Sequence, residues 1–133
     1  MVYIYPAVFV KEADGGYSVL FKGLPGCGTQ GDTLPEAMEM ANDALGCWLD
    51  ASIKHGDPIP PPQDIESIPL DQGQFASLIY VDLEEYRKAN DIRSVKRTVT
   101  LPAWLNSRAV KSGINFSQAL QETLYSKLGL QQP

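Results

Sequence analysis

The segment Lys22–Glu36, KGLPGCGTQGDTLPE, carries Gly26, Gly28 and Gly31 in G-x-G-x-x-G spacing, and its reading decides the fold. Such glycines cradle a pyrophosphate only where they leave a parallel strand and open a helix, so that backbone N–H groups face the phosphates. The flanking residues argue against that context. Downstream, Thr33 and Glu36 have the spacing of a capping box, with Pro35 in the first turn where its missing N–H costs little, so the helix starts beyond the glycines. Upstream, YIYPAVFV (Tyr3–Val10) and YSVLF (Tyr17–Phe21) are rich in aromatic and β-branched residues and are separated by KEADGG with its Asp-Gly turn signal. This predicts an antiparallel hairpin. The glycines therefore follow a returning strand, and no acidic ribose-binding residue follows on a second parallel strand, since Asp50 falls inside the helix. The expectation is a sharp turn at Leu24–Gly28, a short third strand at Cys27–Gln30, and no nucleotide cofactor.

Further along, Leu34, Ala37, Met38, Ala41, Leu45, Trp48 and Leu49 recur at helical spacing, an apolar stripe suited to one face of a sheet. The Met and Trp residues of this stripe read as core. HGDPIPPPQD (His55–Asp64) should run extended, FASLIYVDL (Phe75–Leu83) supplies another strand, and EEYRKAN (Glu84–Asn90) a short helix that Asp82 and Glu85 can cap. Strands in hairpin order packed on a helix make an α+β fold.

At 133 residues, 44% apolar and 20% charged, the chain has the length of one domain, or one and a small appendage. The longest apolar runs fall far short of the roughly 20 residues that span a bilayer, and no basic N-terminal region precedes an apolar core. No membrane association and a cytoplasmic location are expected. Cys27 and Cys47 lack a C-x-x-C pattern or nearby histidines, so they read as structural, and no metal is expected. His55, the single histidine, suits the negative end of the helix dipole.

The net charge of −5 conceals opposite halves. Residues 1–92 hold 15 Asp/Glu and 5 Lys/Arg, a net of −10, whereas residues 93–133 hold 1 acid, Glu122, and 6 bases, a net of +5. The basic end points to nucleic acid, the acidic part to a cationic partner.

From Val95 the chain reads as one strand and two helices, VKRTVTLPAWLNSRAVKSGINFSQALQETLYSKLGL. Val99 and Leu101 fall on one face of the strand, Lys96, Thr98 and Thr100 on the other. Pro102 starts a helix with Leu105 and Ala109 on one side, and Gly113 ends it. Asn115 can cap a second helix whose buried stripe is Phe116, Ala119, Leu120, Thr123, Leu124 and Leu128. About 35 residues cannot bury an adequate core alone, and one strand leaves its backbone groups unpaired, so a second copy is expected. Paired strands would form a two-stranded ribbon carrying Lys96, Thr98 and Thr100 outward, a shape that enters the DNA major groove.

LPAWLNSRAVKSG fits the L-P-x-x-L-x-x-x-A-x-x-x-G pattern of ribbon-helix-helix repressors, and INFSQALQETL resembles their second helix. The resemblance implies base reading by Lys96, Thr98 and Thr100 and phosphate anchoring at Asn115, Phe116 and Ser117. Arg97 stands where that family is usually apolar and is expected to reach a phosphate; Gln118 stands where many relatives are basic. Residues 1–92 resemble HicB antitoxins through DGGY, LPGC, GDT and EA in order. That resemblance implies a partial ribonuclease-H-like domain over 1–92 that binds a HicA-like toxin, a small cationic ribonuclease, and a ribbon-helix-helix domain over 93–133. The latter would bind double-stranded operator DNA as a homodimer, or in a tetramer or higher assembly where both domains self-associate. Asp14, Asp32, Glu36, Glu39 and Asp43 are acidic candidates for the toxin contact.

Two other classes compete. A stand-alone ribbon-helix-helix regulator would use the first domain to sense a ligand or to oligomerise. A nuclease would need several carboxylates converging on strands to hold two metal ions, and the predicted strands offer only Asp82. No enzymatic activity is expected.

Overall fold

Strand β1 (Val2–Lys11) can pair on both sides because its residues are apolar or aromatic almost throughout. The computed structural model describes residues 1–132 and divides the chain into two compact units, Met1–Ile92 and a second beginning at Arg93. In the first unit β1 turns through Glu12–Gly16 into β2 (Tyr17–Leu20), which pairs antiparallel with β3 (Gly28–Gly31). The helix α1 (Leu34–His55) follows, then an extended Pro-rich segment and a 3₁₀ turn at Ile65–Ser67. Strand β4 (Gln74–Asp82) returns antiparallel along the whole of β1, from Val2 opposite Asp82 to Val10 opposite Gln74, and leads into α2 (Leu83–Ala89). The sheet order is β3-β2-β1-β4, all antiparallel.

The G-x-G-x-x-G glycines serve this geometry. Gly26 holds φ +76 in the turn between β2 and β3, a backbone that L side chains rarely adopt. Gly31 lies beneath the first turn of α1, where a Cβ would meet the Ala37 Cα at 2.7 Å. Thr33 Oγ1 accepts from the Glu36 N–H at 3.2 Å, the capping bond expected. The reciprocal half of the box is shifted, because the Glu36 carboxylate accepts from the N–H of Asp32 at 3.1 Å instead of from Thr33.

The core lies between one sheet face and α1. Ala37, Ala41, Leu45 and Leu49 are buried against Tyr5, Ala7, Phe9, Val19, Ile79 and Val81. This corrects the expected stripe: Leu34, Met38 and Met40 are exposed, and Trp48 is half-buried with its Nε1 donating to the Pro25 carbonyl at 2.8 Å. The alanines decide the rotation, since they let the helix backbone approach the sheet where methionine would hold it away.

The second unit contains α3 (Ala103–Lys111) and α4 (Phe116–Lys127), joined by a turn in which the Ile114 N–H reaches back to the Ala109 carbonyl at 3.1 Å. The Val95–Leu101 strand expected from sequence is not present in the single chain; residues 91–102 are neither helix nor strand. A strand is held by a ladder, and this unit contains no other strand to supply one. Nor is the expected stripe buried. No described residue of this unit falls in the buried class, and Phe116, Leu120, Leu124 and Leu128 all remain exposed.

Candidate functional site

Two surfaces carry the residues singled out by sequence, one in each unit. In the first unit, Gly16 brings the hairpin against the start of α1: a Cβ there would lie 3.3 Å from Asp14 Oδ1 and 3.8 Å from the Cα of Asp32. Asp14 also accepts from the Gly16 N–H at 2.9 Å. Asp14, Asp32 and Glu36 thus share one acidic end, whereas Glu39 and Asp43 lie one and two turns further along α1, all five exposed. The structure makes these five one end and a trail along a helix, not a single cluster.

Beside that trail, Asp43, Cys47, Trp48, His55 and Asp57 border an open depression of about 460 Å³ whose floor includes Cys27. Burial, and secondarily Cys47, pushes the Cys27 thiol up to about 11. Among the described residues, no group of three or more His, Cys, Asp or Glu is placed to hold a metal ion. No helix there is long and apolar enough to cross a membrane.

In the second unit, the apolar residues of α3 and α4 face each other across an open groove of about 500 Å³. Its lining includes Leu105, Ala109, Phe116 and Leu120, with Val99 and Leu101 of the preceding segment. Arg97 lines the same groove, so it alternates with Lys96, Thr98 and Thr100 and shares the side of Val99 and Leu101. Lys96, Thr98 and Thr100 are exposed and do not line it. At the start of α4, Asn115 Oδ1 accepts from the Gln118 N–H at 3.1 Å. That cap occupies the Asn115 side chain, and helix geometry leaves the N–H groups of Phe116 and Ser117 without an intrahelical carbonyl. Ser117 and Phe116 also border the groove. Sequence reasoning did not single out Trp104 and Arg108, both exposed on α3 with the guanidinium 5.8 Å from the ring centroid; their i, i+4 spacing was the available signal.

The model of the HicB-like antitoxins of bacterial toxin-antitoxin systems matches residues 5–121. The chain belongs to this antitoxin family. It is 40% identical over 63 residues to antitoxin HicB of Escherichia coli K12, a match covering 47% of this chain and 46% of that protein. Over 70 residues it is 40% identical to antitoxin HicB 1 of Photorhabdus laumondii, covering 50% and 45% respectively. The chain thus spans about half the length of these two antitoxins. Among solved structures, the Streptococcus pneumoniae toxin-antitoxin complex contains a chain 29% identical, with a TM-score of 0.60 over 96% of this chain and 99% of that one. A HicA3 and HicB3 toxin-antitoxin complex contains one 26% identical, with a TM-score of 0.52 over 60% and 99%. The antitoxin fold here is a mixed one, a four-stranded antiparallel sheet with four helices.

Proposed function

We propose that the chain neutralises a HicA-like ribonuclease toxin through residues 1–92, a partial ribonuclease-H-like domain, and represses their shared operon through residues 93–133. In this reading the second unit is a ribbon-helix-helix domain completed by a second copy. The observation that carries it is the groove: a helix pair with no buried residue exposes the side chains a core needs, while Lys96, Thr98 and Thr100 stay off that side. A second chain supplies the missing half of the core and pairs the two 95–101 segments. The ribbon then turns Lys96, Thr98 and Thr100 to the bases, and the α4 N-termini at Asn115, Phe116 and Ser117 meet phosphates. Arg97 packs its stem along the groove and extends its guanidinium to the rim.

The acidic end at Asp14, Asp32 and Glu36, with Glu39 and Asp43 beyond, supports docking of a cationic toxin by complementary fields. The unit acts by binding, not by catalysis. Its strands carry one carboxylate, Asp82, whose Oδ1 accepts from the N–H groups of Glu84 and Glu85. The test is to co-express the chain with the product of a short, basic neighbouring reading frame, measuring complex mass, growth rescue and operator gel shift together. A complex that rescues growth and shifts the operator is expected. Operator binding with no complex and no rescue would favour the stand-alone regulator.

A further inference from the structure

The outer edge of the first unit's sheet is an unguarded strand. Strand β4 is at the edge of the order β3-β2-β1-β4, and its nine residues, QFASLIYVD, contain no proline, no lysine and one charge, Asp82 at the end. Natural edges are ordinarily blunted by charge, proline or a bulge.

The register identifies which groups face outward. Leu83 N donates to the Met1 carbonyl at 3.0 Å, and Lys11 N donates to the Gly73 carbonyl at 3.4 Å, so the odd positions of this segment bond to β1. By antiparallel alternation, the N–H and C=O groups of Gln74, Ala76, Leu78 and Tyr80 point away from the sheet. One has a partner: the Asn42 side-chain amide donates to the Tyr80 carbonyl, which keeps a second lone pair. On the sheet face away from α1, the same edge exposes Leu78 at 54% and Tyr80 at 56%, with Ile4 directly opposite Tyr80 on β1 also exposed.

We infer that β4 pairs antiparallel with β4 of a second copy about a two-fold axis at Leu78, continuing the four-stranded sheet into eight strands. Charge selects this occupant. A unit of net −10 repels its copy everywhere except where charge is absent, and this edge is the uncharged strip; a cationic partner is drawn to the carboxylates instead. The strip is self-complementary in that register. Leu78 meets Leu78 of the second copy, Tyr80 meets Ala76, and Asp82 falls opposite Gln74, so no carboxylate faces another. The outward N–H and C=O groups are satisfied in reciprocal pairs, as an isologous interface requires. The pairing is separate from the groove of the second unit and does not depend on its DNA role.

The test is the mass in solution of the full chain and of Leu78→Lys, by light scattering and native mass spectrometry. Lysine at this exposed position leaves the core intact and sets two cations face to face on the axis. The expected result is a halved mass, from tetramer to dimer if the second unit also dimerises, and from dimer to monomer if it does not. Hydrogen exchange on the wild-type chain should find the amides of Ala76, Leu78 and Tyr80 protected, and exposed in Leu78→Lys. Equal masses for the two proteins, or fast exchange of these amides in wild type, would overturn the proposal. So would protection that arises only when the toxin is added.

Discussion

The ring of Tyr86 on α2 lies against Gly46 of α1, so close that a Cβ at residue 46 would sit 2.7 Å from the tyrosine Cγ. The obstructing atoms belong to the base of the ring, not the far end of a flexible side chain, so α2 itself must give way. Gly46→Ala gains about 1 kcal/mol of helix propensity but forces an overpacking cost of roughly 1–3 kcal/mol. A net loss of about 1–2 kcal/mol is expected in denaturant unfolding. In a Tyr86→Ala background the obstruction is gone, and the same substitution should stabilise by up to about 1 kcal/mol. Additive effects in the double mutant would refute the contact.

Asp50 ties the same two helices electrostatically. Its carboxylate accepts from Lys54 Nζ at 2.9 Å and from Arg87 Nε at 2.7 Å, and these two bonds hold its pKa below the ordinary value. A carboxyl depressed on folding contributes stability above the unfolded value, near 4, and loses it as pH falls through the lower folded value. Asp50→Asn should therefore cost about 0.5–1 kcal/mol at pH 7, an estimate kept small because both cations are largely solvated. Below the folded pKa the variant and wild type should converge, which unfolding curves between pH 7 and pH 2 will measure.

Local chemistry made much of this fold readable. The Asp-Gly turn, the Thr33 cap, Pro35 and the Asp82 cap each act within a few residues, so the hairpin, both helices of the first unit and the rejection of a nucleotide loop followed from spacing alone. What the sequence did not disclose depends on distance in space. Met38 and Ala37 both satisfy helical periodicity, and only the approach of Gly31 to the helix decides that alanine faces the sheet. The missing 95–101 strand has the same origin, because its pairing partner is not in its own unit. Arg97 could be numbered onto the strand, but its side of the groove emerges only when α3 and α4 are in place.

The two cysteines should react at different rates. Cys27 is buried beneath α1, its Sγ 3.8 Å from the Ala44 carbonyl, and its thiol is pushed up to about 11; Cys47 is exposed. At pH 8 a thiol of that pKa is roughly one part in a thousand thiolate, the reactive form. Iodoacetamide with peptide mapping should label Cys47 first, and Cys27 only after unfolding or at much higher pH. Equal labelling of both in the native chain would contradict the burial of Cys27.

Neighbouring residues of the 95–101 segment should fail in different ways. Thr98 lies off the groove and Val99 lines it, one residue apart, so alternation assigns the first to DNA and the second to the shared core. Thr98→Ala, like Lys96→Ala, should leave the mass unchanged and weaken operator binding, by about 1–3 kcal/mol where a bidentate base contact is lost. Lys96→Ala should also flatten the salt dependence by about one unit of slope if the ammonium reaches a phosphate instead of a base. Val99→Glu sets carboxylates into the core of the second-unit dimer, halving the mass and removing operator binding altogether. Gel shifts at several salt concentrations, with light scattering on the same samples, separate these outcomes. Operator binding that survives Val99→Glu at wild-type strength would mean that the groove is not where two copies meet.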